Sequence, residues 1–319
     1  MYNKIHRDSE YMSGIKNFLC EKYNINAISI SIIPAKRGYY GETWRVETTG
    51  NIYFVKLDYF PRHQKIFQNS LPVVEYLCNS GIDFINNVVK THDGRLYSHF
   101  NSAVLAVFDW IDGENIETNC TKTPEYQMLC KVYPLTKQGF DIPTMEFSSH
   151  VATRVYSQWE GLKSAPQNRA YDAVNAMLEA QSKQLSHCAL RLSYFAALCQ
   201  KDKSHFYFTH GDAGGNFFVS KGRNYIVDWD EVMYAPLERD AWVMCCRDWA
   251  VQLFNDTLME NKIEYQLRPE RLAFYCYHMF FHYLGEFLED LVLHDNSKRI
   301  AEYFSAGWID RSIRFADGI

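Results

Sequence analysis

The chain has 319 residues, 33 basic against 38 acidic side chains, and an apolar share of 47%. That length exceeds what one hydrophobic core usually serves, so two lobes are expected, and the apolar share excludes a disordered chain. A net charge of −5 without any basic block excludes broad binding to a nucleic-acid backbone.

From the N-terminus, Met1–Gly14 is polar, so no secretory apolar run is expected. Ile28, Ile30 and Ile32 alternate with serines, the period of a half-buried strand. Gly38-Tyr-Tyr-Gly41 forms a loop, Thr43–Glu47 a second strand, Thr48–Asn51 a hairpin turn and Ile52–Leu57 a third strand. A helix follows, with Ser70 as its N-cap, Pro72 in its first turn and Asn79-Ser-Gly81 as its stop. Strands are expected again at Asn87–Lys90, Arg95–Ser98 and Ala103–Trp110, closed by Asp112-Gly113. Even the apolar run Ala103–Phe108 is too short to span a membrane.

From Glu114 onward helices dominate, notably Arg169–Leu185 and Arg268–Leu293, around a short β-rich island at Phe206–Val232. A β lobe followed by a mainly helical lobe is the outline of the α+β class, with residues 1–113 forming the first lobe and 114–319 the second. Nine cysteines without a C-x-x-C pair point to reduced thiols and a cytoplasmic protein. The 22 tyrosines, 21 phenylalanines and 7 tryptophans fall mostly at core spacings, so they read as packing rather than as a stacking surface.

The chemistry concentrates in the island. Asp212 in a loop is followed within one turn by Asn216, and a hairpin from Phe217 to Val227 then presents Asp228. Folding back along the hairpin places Asp228 beside Asn216. One amide oxygen and one carboxylate suit Mg²⁺, which keeps waters and takes further ligands from substrate phosphates. Asp212 is left to accept or orient a hydroxyl proton, and the set fits phosphoryl transfer from a nucleoside triphosphate.

His210-Gly-Asp212 with Asn216, followed by Ile226-Val-Asp-Trp-Asp230, resembles the catalytic and magnesium-binding motifs of the aminoglycoside phosphotransferase family. Gly81-Ile-Asp-Phe, Asp93-Gly-Arg-Leu-Tyr97, Val107-Phe-Asp-Trp-Ile-Asp-Gly113 and Ala235-Pro-Leu-Glu-Arg-Asp240 resemble its spectinomycin phosphotransferase branch most closely. The resemblance implies a protein-kinase-like two-lobed fold, with an antiparallel β N-lobe and a mainly helical C-lobe. It implies an alcohol-group phosphotransferase using Mg²⁺ and ATP or GTP, with antibiotic resistance as the family's associated role. Asp212 would be the acid/base, Asn216 and Asp228 the Mg²⁺ ligands, and Asp240 a brace for the loop of Asp228. One departure is plain: kinase-like loops place four residues between Asp and Asn, whereas only Ala213-Gly-Gly215 intervene here. The two glycines are expected to allow the shorter path through backbone angles that other residues avoid.

A kinase-like site calls for a lysine on the third strand, and Lys56 is the only cation there. Glu75, in the following helix, is its expected acidic partner. Gly38 and Gly41 lie where a phosphate-covering loop would be, and the backbone of Phe108, Trp110 and Ile111 is the expected adenine-binding hinge, near 108–113.

On the acceptor side, helix Arg268–Leu293 carries two stripes. Phe274, Tyr277, Phe281, Leu284, Leu288 and Leu291 form a core face, while Tyr275, His278, His282, Glu286 and Glu289 form a polar one. Acids and aromatics on one face suit a cationic, hydroxylated small molecule, and a solvated helix face explains the same pattern. Glu231 and Glu238 are further acidic candidates. The leading reading is a kinase of an aminoglycoside- or aminocyclitol-like acceptor, without a nucleic-acid or membrane partner. The alternatives are a kinase of a choline- or sugar-like metabolite, and an inactive nucleotide-binding or interaction protein on the same fold.

Overall fold

The computed structural model describes residues 8–33, 41–166, 168–202, 204–292 and 295–319. The chain divides into two compact units, one of Lys4–Thr144 with Tyr207–Tyr234, the other of Met145–Phe206 with Ala235–Ile319.

The first unit opens with a helix that the sequence reading did not anticipate, α1 (Ser9–Tyr23). Asp8 caps it by accepting the Tyr11 N–H at 2.9 Å, and Asn24 ends it in the left-handed conformation. Strands β1 (Ser29–Ile33), β2 (Gly41–Glu47) and β3 (Ile52–Asp58) follow in antiparallel register, with Thr43 opposite Lys56 and Trp44 opposite Val55. Helix α2 runs from Pro61 to Asn79. The expected start at Ser70 is therefore corrected: Pro61 occupies the first turn, where its fixed φ favours the helix and its missing N–H is harmless. Ser70 is buried inside α2 and its hydroxyl donates to the Phe67 carbonyl at 2.8 Å.

Strands β4 (Val88–Val89), β5 (Ser98–Phe100) and β6 (Ala103–Asp109) complete an antiparallel sheet ordered β1-β2-β3-β6-β4, with β5 also on β6. The strand expected from Arg95 starts only at Ser98, because Thr91 ties Arg95 into a turn through two 2.8 Å bonds. Ile15 and Leu19 of α1 pack on Trp44, Val46, Val55, Leu57, Leu105 and Val107, giving this sheet its core. The unit continues through β7 (Glu114–Asn115) and α3 (Lys122–Val132). It closes with β8 (Tyr207–Thr209), β9 (Phe217–Ser220), β10 (Arg223–Ile226) and β11 (Met233–Ala235).

The second unit is helical: α4 (His150–Ser164), α5 (Arg169–Ala180), α6 (Ser182–Cys199), α7 (Glu238–Ala241), α8 (Asp248–Glu260), α9 (Pro269–Leu291), α10 (Ser297–Ser305) and α11 (Gly307–Asp317). The single helix expected over Arg169–Leu185 breaks at Gln181, with no proline or glycine there to signal it. Helix α9 packs against α4, α6, α10 and α11, and its expected core face is buried throughout. Leu293, the expected end of that helix, lies outside the described residues. All nine cysteines are free thiols, including Cys245 and Cys276, whose sulfurs lie 3.4 Å apart in the core. Among the described residues no helix is long and apolar enough to cross a membrane. The architecture is the expected α+β arrangement, an antiparallel N-terminal sheet and a helical C-terminal part.

Candidate active site

The candidate site lies in the first unit, at the open end of the β9–β10 hairpin. Phe217 pairs with Ile226, and the Val227 N–H donates to the Asn216 carbonyl at 3.1 Å. Asn216 and Asp228 therefore flank the same end of the hairpin. Asp228 takes the left-handed conformation at φ 63°, which aspartate tolerates better than most residues.

His210 joins the two arms. Its Nε2 donates to the Val227 carbonyl at 2.8 Å, leaving Nδ1 to accept the Asp212 N–H at 3.2 Å. The ring is buried edge-on against Trp229, with centroids 4.7 Å apart. Between them Gly211 sits at φ 87°, a conformation that costs a residue with Cβ dearly. His210 thus sets the loop and does not itself face outward.

The three residues between Asp212 and Asn216 adopt one tight turn, with the Asn216 N–H bonded to the Ala213 carbonyl at 3.1 Å. Neither Gly214 nor Gly215 has a positive φ, so the expected backbone-angle explanation is corrected. These glycines supply space. A Cβ at Gly215 would stand 2.6 Å from Asp212 Oδ1, and one at Gly214 would overlap Lys122 Nζ. The Asn216 amide donates to the Asp212 carbonyl at 2.9 Å and lies 3.4 Å from Asp212 Oδ2. Asn115, at the end of β7, donates to the Gly215 carbonyl from outside the loop.

Lys56 reaches the same place from β3. Its Nζ donates to Asp228 Oδ1 at 2.8 Å, pairs also with Asp230, and lies 5.5 Å from the Phe67 ring centroid. Burial opposes its charge, but the two carboxylates outweigh that and hold its pKa above the usual lysine value. Asp228 has a half-exposed side chain; the protein packed around it still disfavours ionisation, yet Lys56 outweighs this and pulls its pKa below the ordinary carboxylate value. Asp230 is more deeply buried; desolvation pushes its pKa up despite Lys56, and the charge of Asp228 adds to the rise.

Glu75 does not meet Lys56. It pairs with Lys90, leaving Asp230 in the role expected of it. The part of α2 near Lys56 is its first two turns, with His63 and Phe67. Buried Asp58 pairs with His63. Desolvation opposes a proton on His63, but its bond to Asp58 and the nearby Asp230 raise its pKa above the usual imidazole value. The sequence reading missed Asp230, His63 and Asn115; Asp230 was legible as the second acid of Asp228-Trp-Asp230, whereas the other two arrive through tertiary packing alone.

Gly41 begins β2, where a Cβ would overlap the Leu57 carbonyl oxygen, so close strand approach alone requires glycine there. Gly38 lies outside the described residues. Phe108 is buried in β6 opposite Phe54, and the Trp110 N–H reaches the Ile52 carbonyl at 3.4 Å with Arg45 over its ring. Ile111 follows in the segment leading to β7, which pairs with β9.

An amide and a carboxylate at one hairpin mouth, with no soft ligands, make an oxygen donor set that fits Mg²⁺. Among the described residues no three His, Cys, Asp or Glu side chains cluster into a metal cage.

The acceptor candidates are dispersed. Glu231 is exposed beside Asp230 in the first unit. Glu238, in the second unit, is fully buried; it accepts the Tyr265 hydroxyl and the Arg268 N–H, both at 2.6 Å. Tyr275 is 1% exposed, which removes it from the solvated stripe expected of it. His278 stacks on Phe274 and near His282; burial, then His282 and two arginines, push its pKa down to about 3, so the ring is neutral. Glu286 is engaged by Arg154 at 3.1 Å, and that guanidinium packs against Gly285, where a Cβ would stand 2.6 Å away.

No protein-family model and no curated protein sequence matches the chain. Solved structures do. Spectinomycin phosphotransferase, in complex with ADP and spectinomycin, matches with TM-score 0.76 and 18% identity, over 96% of this chain and 97% of that one. Choline kinase from Streptococcus pneumoniae matches with TM-score 0.58 and 16% identity, over 98% and 100%. Macrolide 2′-phosphotransferase from Brachybacterium faecium matches with TM-score 0.59 and 9% identity, over 91% and 97%. The chain therefore has the kinase-like fold of the aminoglycoside and spectinomycin phosphotransferases.

Proposed function

We propose that this protein is a small-molecule kinase that transfers the γ-phosphate of ATP or GTP to a hydroxyl of an aminoglycoside- or aminocyclitol-like acceptor. The observation that carries the proposal is the meeting of Lys56, Asp212, Asn216 and Asp228 within one compact unit, on strands and a loop that fix each of them. In this reading residues 1–113 bind the nucleotide, with the hinge near 108–113, and residues 114–319 carry the catalytic loop and the acceptor site.

Asp212 orients the acceptor hydroxyl and takes its proton as the oxygen attacks phosphorus. Lys56 holds phosphate charge, releasing its contact with Asp228 or Asp230 when a phosphate takes its place. Mg²⁺, held by Asn216 and Asp228 when bound, supplies charge neutralisation of the phosphates. His210 and Asn115 keep the loop in place through backbone bonds.

A choline- or sugar-like acceptor is the second reading, favoured by the likeness to choline kinase. Glu238 and Glu286 are both engaged inside the protein, so neither supplies an uncommitted negative charge for a cationic acceptor. The test is consumption of Mg·ATP and Mg·GTP against aminocyclitols, aminoglycosides, choline and simple sugars, with the product identified by mass. A phosphorylated aminocyclitol or aminoglycoside supports the first reading, and phosphocholine or a sugar phosphate the second. Tight nucleotide binding without transfer across the panel refutes both and leaves an inactive nucleotide-binding protein.

A further inference from the structure

We propose that Lys122, held by Glu125, is a positioning residue that supports the catalytic turn from beneath. Its catalytic consequence rests on the kinase reading above. Both residues lie in the first turn of α3, three positions apart, and pair at 2.7 Å with side chains only 5% and 3% exposed. Lysine and glutamate are almost never buried so completely except as a pair, which is how they occur here. A buried pair of this kind often contributes less to stability than well-packed apolar residues would, so stability alone is a poor reason for it.

The reason lies in the turn. A Cβ at Gly214 would overlap Lys122 Nζ and stand 3.2 and 3.4 Å from the two Glu125 carboxylate oxygens. Since Gly214 has no positive φ, what a side chain there would meet is the ammonium and not the backbone. It would have to displace the buried Lys122–Glu125 pair. Lys122 thus occupies the space that a side chain at position 214 would fill. Gly214 begins the turn that ends at Asn216, and Asp212 stands just before it. Asn115 holds the next carbonyl, that of Gly215, through its side-chain amide. The turn has one residue fewer than the kinase-like spacing and two glycines without side chains, so beyond the Asn216 bonds to Ala213 and Asp212 it has little of its own to hold its middle. Residues 115 to 125 supply the anchor. Glu125 keeps the ammonium in its place, because a lysine stem alone has many rotamers.

The test replaces the pair by neutral near-isosteres, Lys122→Met with Glu125→Gln, and separately introduces Gly214→Ala with the pair intact. Amide exchange is read over residues 210–217, alongside turnover with the best acceptor and calorimetric binding of Mg·ATP. Positioning predicts exchange in that segment about tenfold faster in both variants, while the sheet core keeps its protection. It also predicts kcat reduced by about tenfold to a hundredfold, with Mg·ATP affinity reduced less than kcat because Asp228 and Lys56 stay in place. Unchanged exchange in both variants overturns the proposal, as does faster exchange with undiminished kcat. Global loss of protection in the double variant, with Gly214→Ala behaving as wild type, also overturns it, since the pair would then be purely structural. If the wild-type protein transfers no phosphate to any acceptor, the kinase reading has failed, and the exchange measurement alone decides whether Lys122 orders the turn.

Discussion

The β9–β10 hairpin and helix α9 both carry polar residues that stand out in the sequence, and they hold them in opposite ways. At the hairpin mouth, Asp228, Asn216 and Asp212 are each fixed by short-range partners: the ladder that ends at Phe217 and Ile226, the His210 bridge, and the Asn216 amide. On α9, the polar stripe is largely half-covered and engaged by neighbouring side chains. Tyr275 is buried, the His278 ring is neutral, and part-exposed Glu286 is paired with Arg154. A hairpin dictates which residues meet at its mouth. A helix with polar groups at helical spacing says nothing of whether a neighbouring helix will cover them, and here α4 supplies Arg154. The first region has the features of a chemical site; the second has those of a polar seam at the edge of a helical core.

Substitutions can break this contrast. The largest effect is expected for Asp212→Asn, which should lower turnover by about 10²–10⁴ while sparing nucleotide affinity; steady-state kinetics with the best acceptor checks it, and full activity would remove Asp212 from its role. Asp228→Ala should abolish the Mg²⁺-dependent part of nucleotide binding, read by calorimetry with and without the ion.

Glu238→Ala should leave the Tyr265 hydroxyl proton and the Arg268 N–H without their acceptor, a loss of about 2–3 kcal/mol in denaturant unfolding. A group that instead contacted the acceptor would raise KM with stability intact.

His278 gives a smaller, pH-dependent effect. The unfolded chain binds a proton at this ring below about pH 6.5, the folded one only near pH 3. As pH falls through the first value, the unfolded state gains a proton that the native state does not, so stability is lost on the acid side. Between about pH 7.5 and 5.5 this group should account for about 1.4 kcal/mol of lost stability, absent in His278→Gln. Equal acid sensitivity in the variant would show a ring open to solvent. Glu286→Gln should change least, by about 1 kcal/mol or less in stability and little in acceptor KM, because its partner is part-exposed Arg154.

What the sequence made legible follows the same division. The strand at Ser29–Ile33, the turn at Thr48–Asn51 and the hairpin from Phe217 were readable because strand period and turn chemistry act over a few residues. The core stripe of α9 was readable for the same reason. Of the alternating isoleucines, however, only Ile30 is buried, and Ile28 and Ile32 stay exposed. Ser70 misled because a good capping residue followed closely by proline imitates a helix start, while the true start, Pro61, has no side-chain cap at Phe60. The partner of Lys56 was misassigned because choosing between Glu75 and Asp230 depends on how α2 lies across the sheet, and its first two turns, not its last, face the lysine. Lys122 was invisible for a similar reason: nothing local connects it to Gly214.

The central claim is that phosphate moves from nucleotide to acceptor, and following the γ-phosphate itself tests it most directly. With γ-labelled ATP or GTP, Mg²⁺ and the acceptor panel, the label should appear on an acceptor hydroxyl with the wild-type protein and be strongly reduced with Asp212→Asn. Label that stays on the nucleotide, or leaves only as inorganic phosphate with every acceptor, would contradict the account.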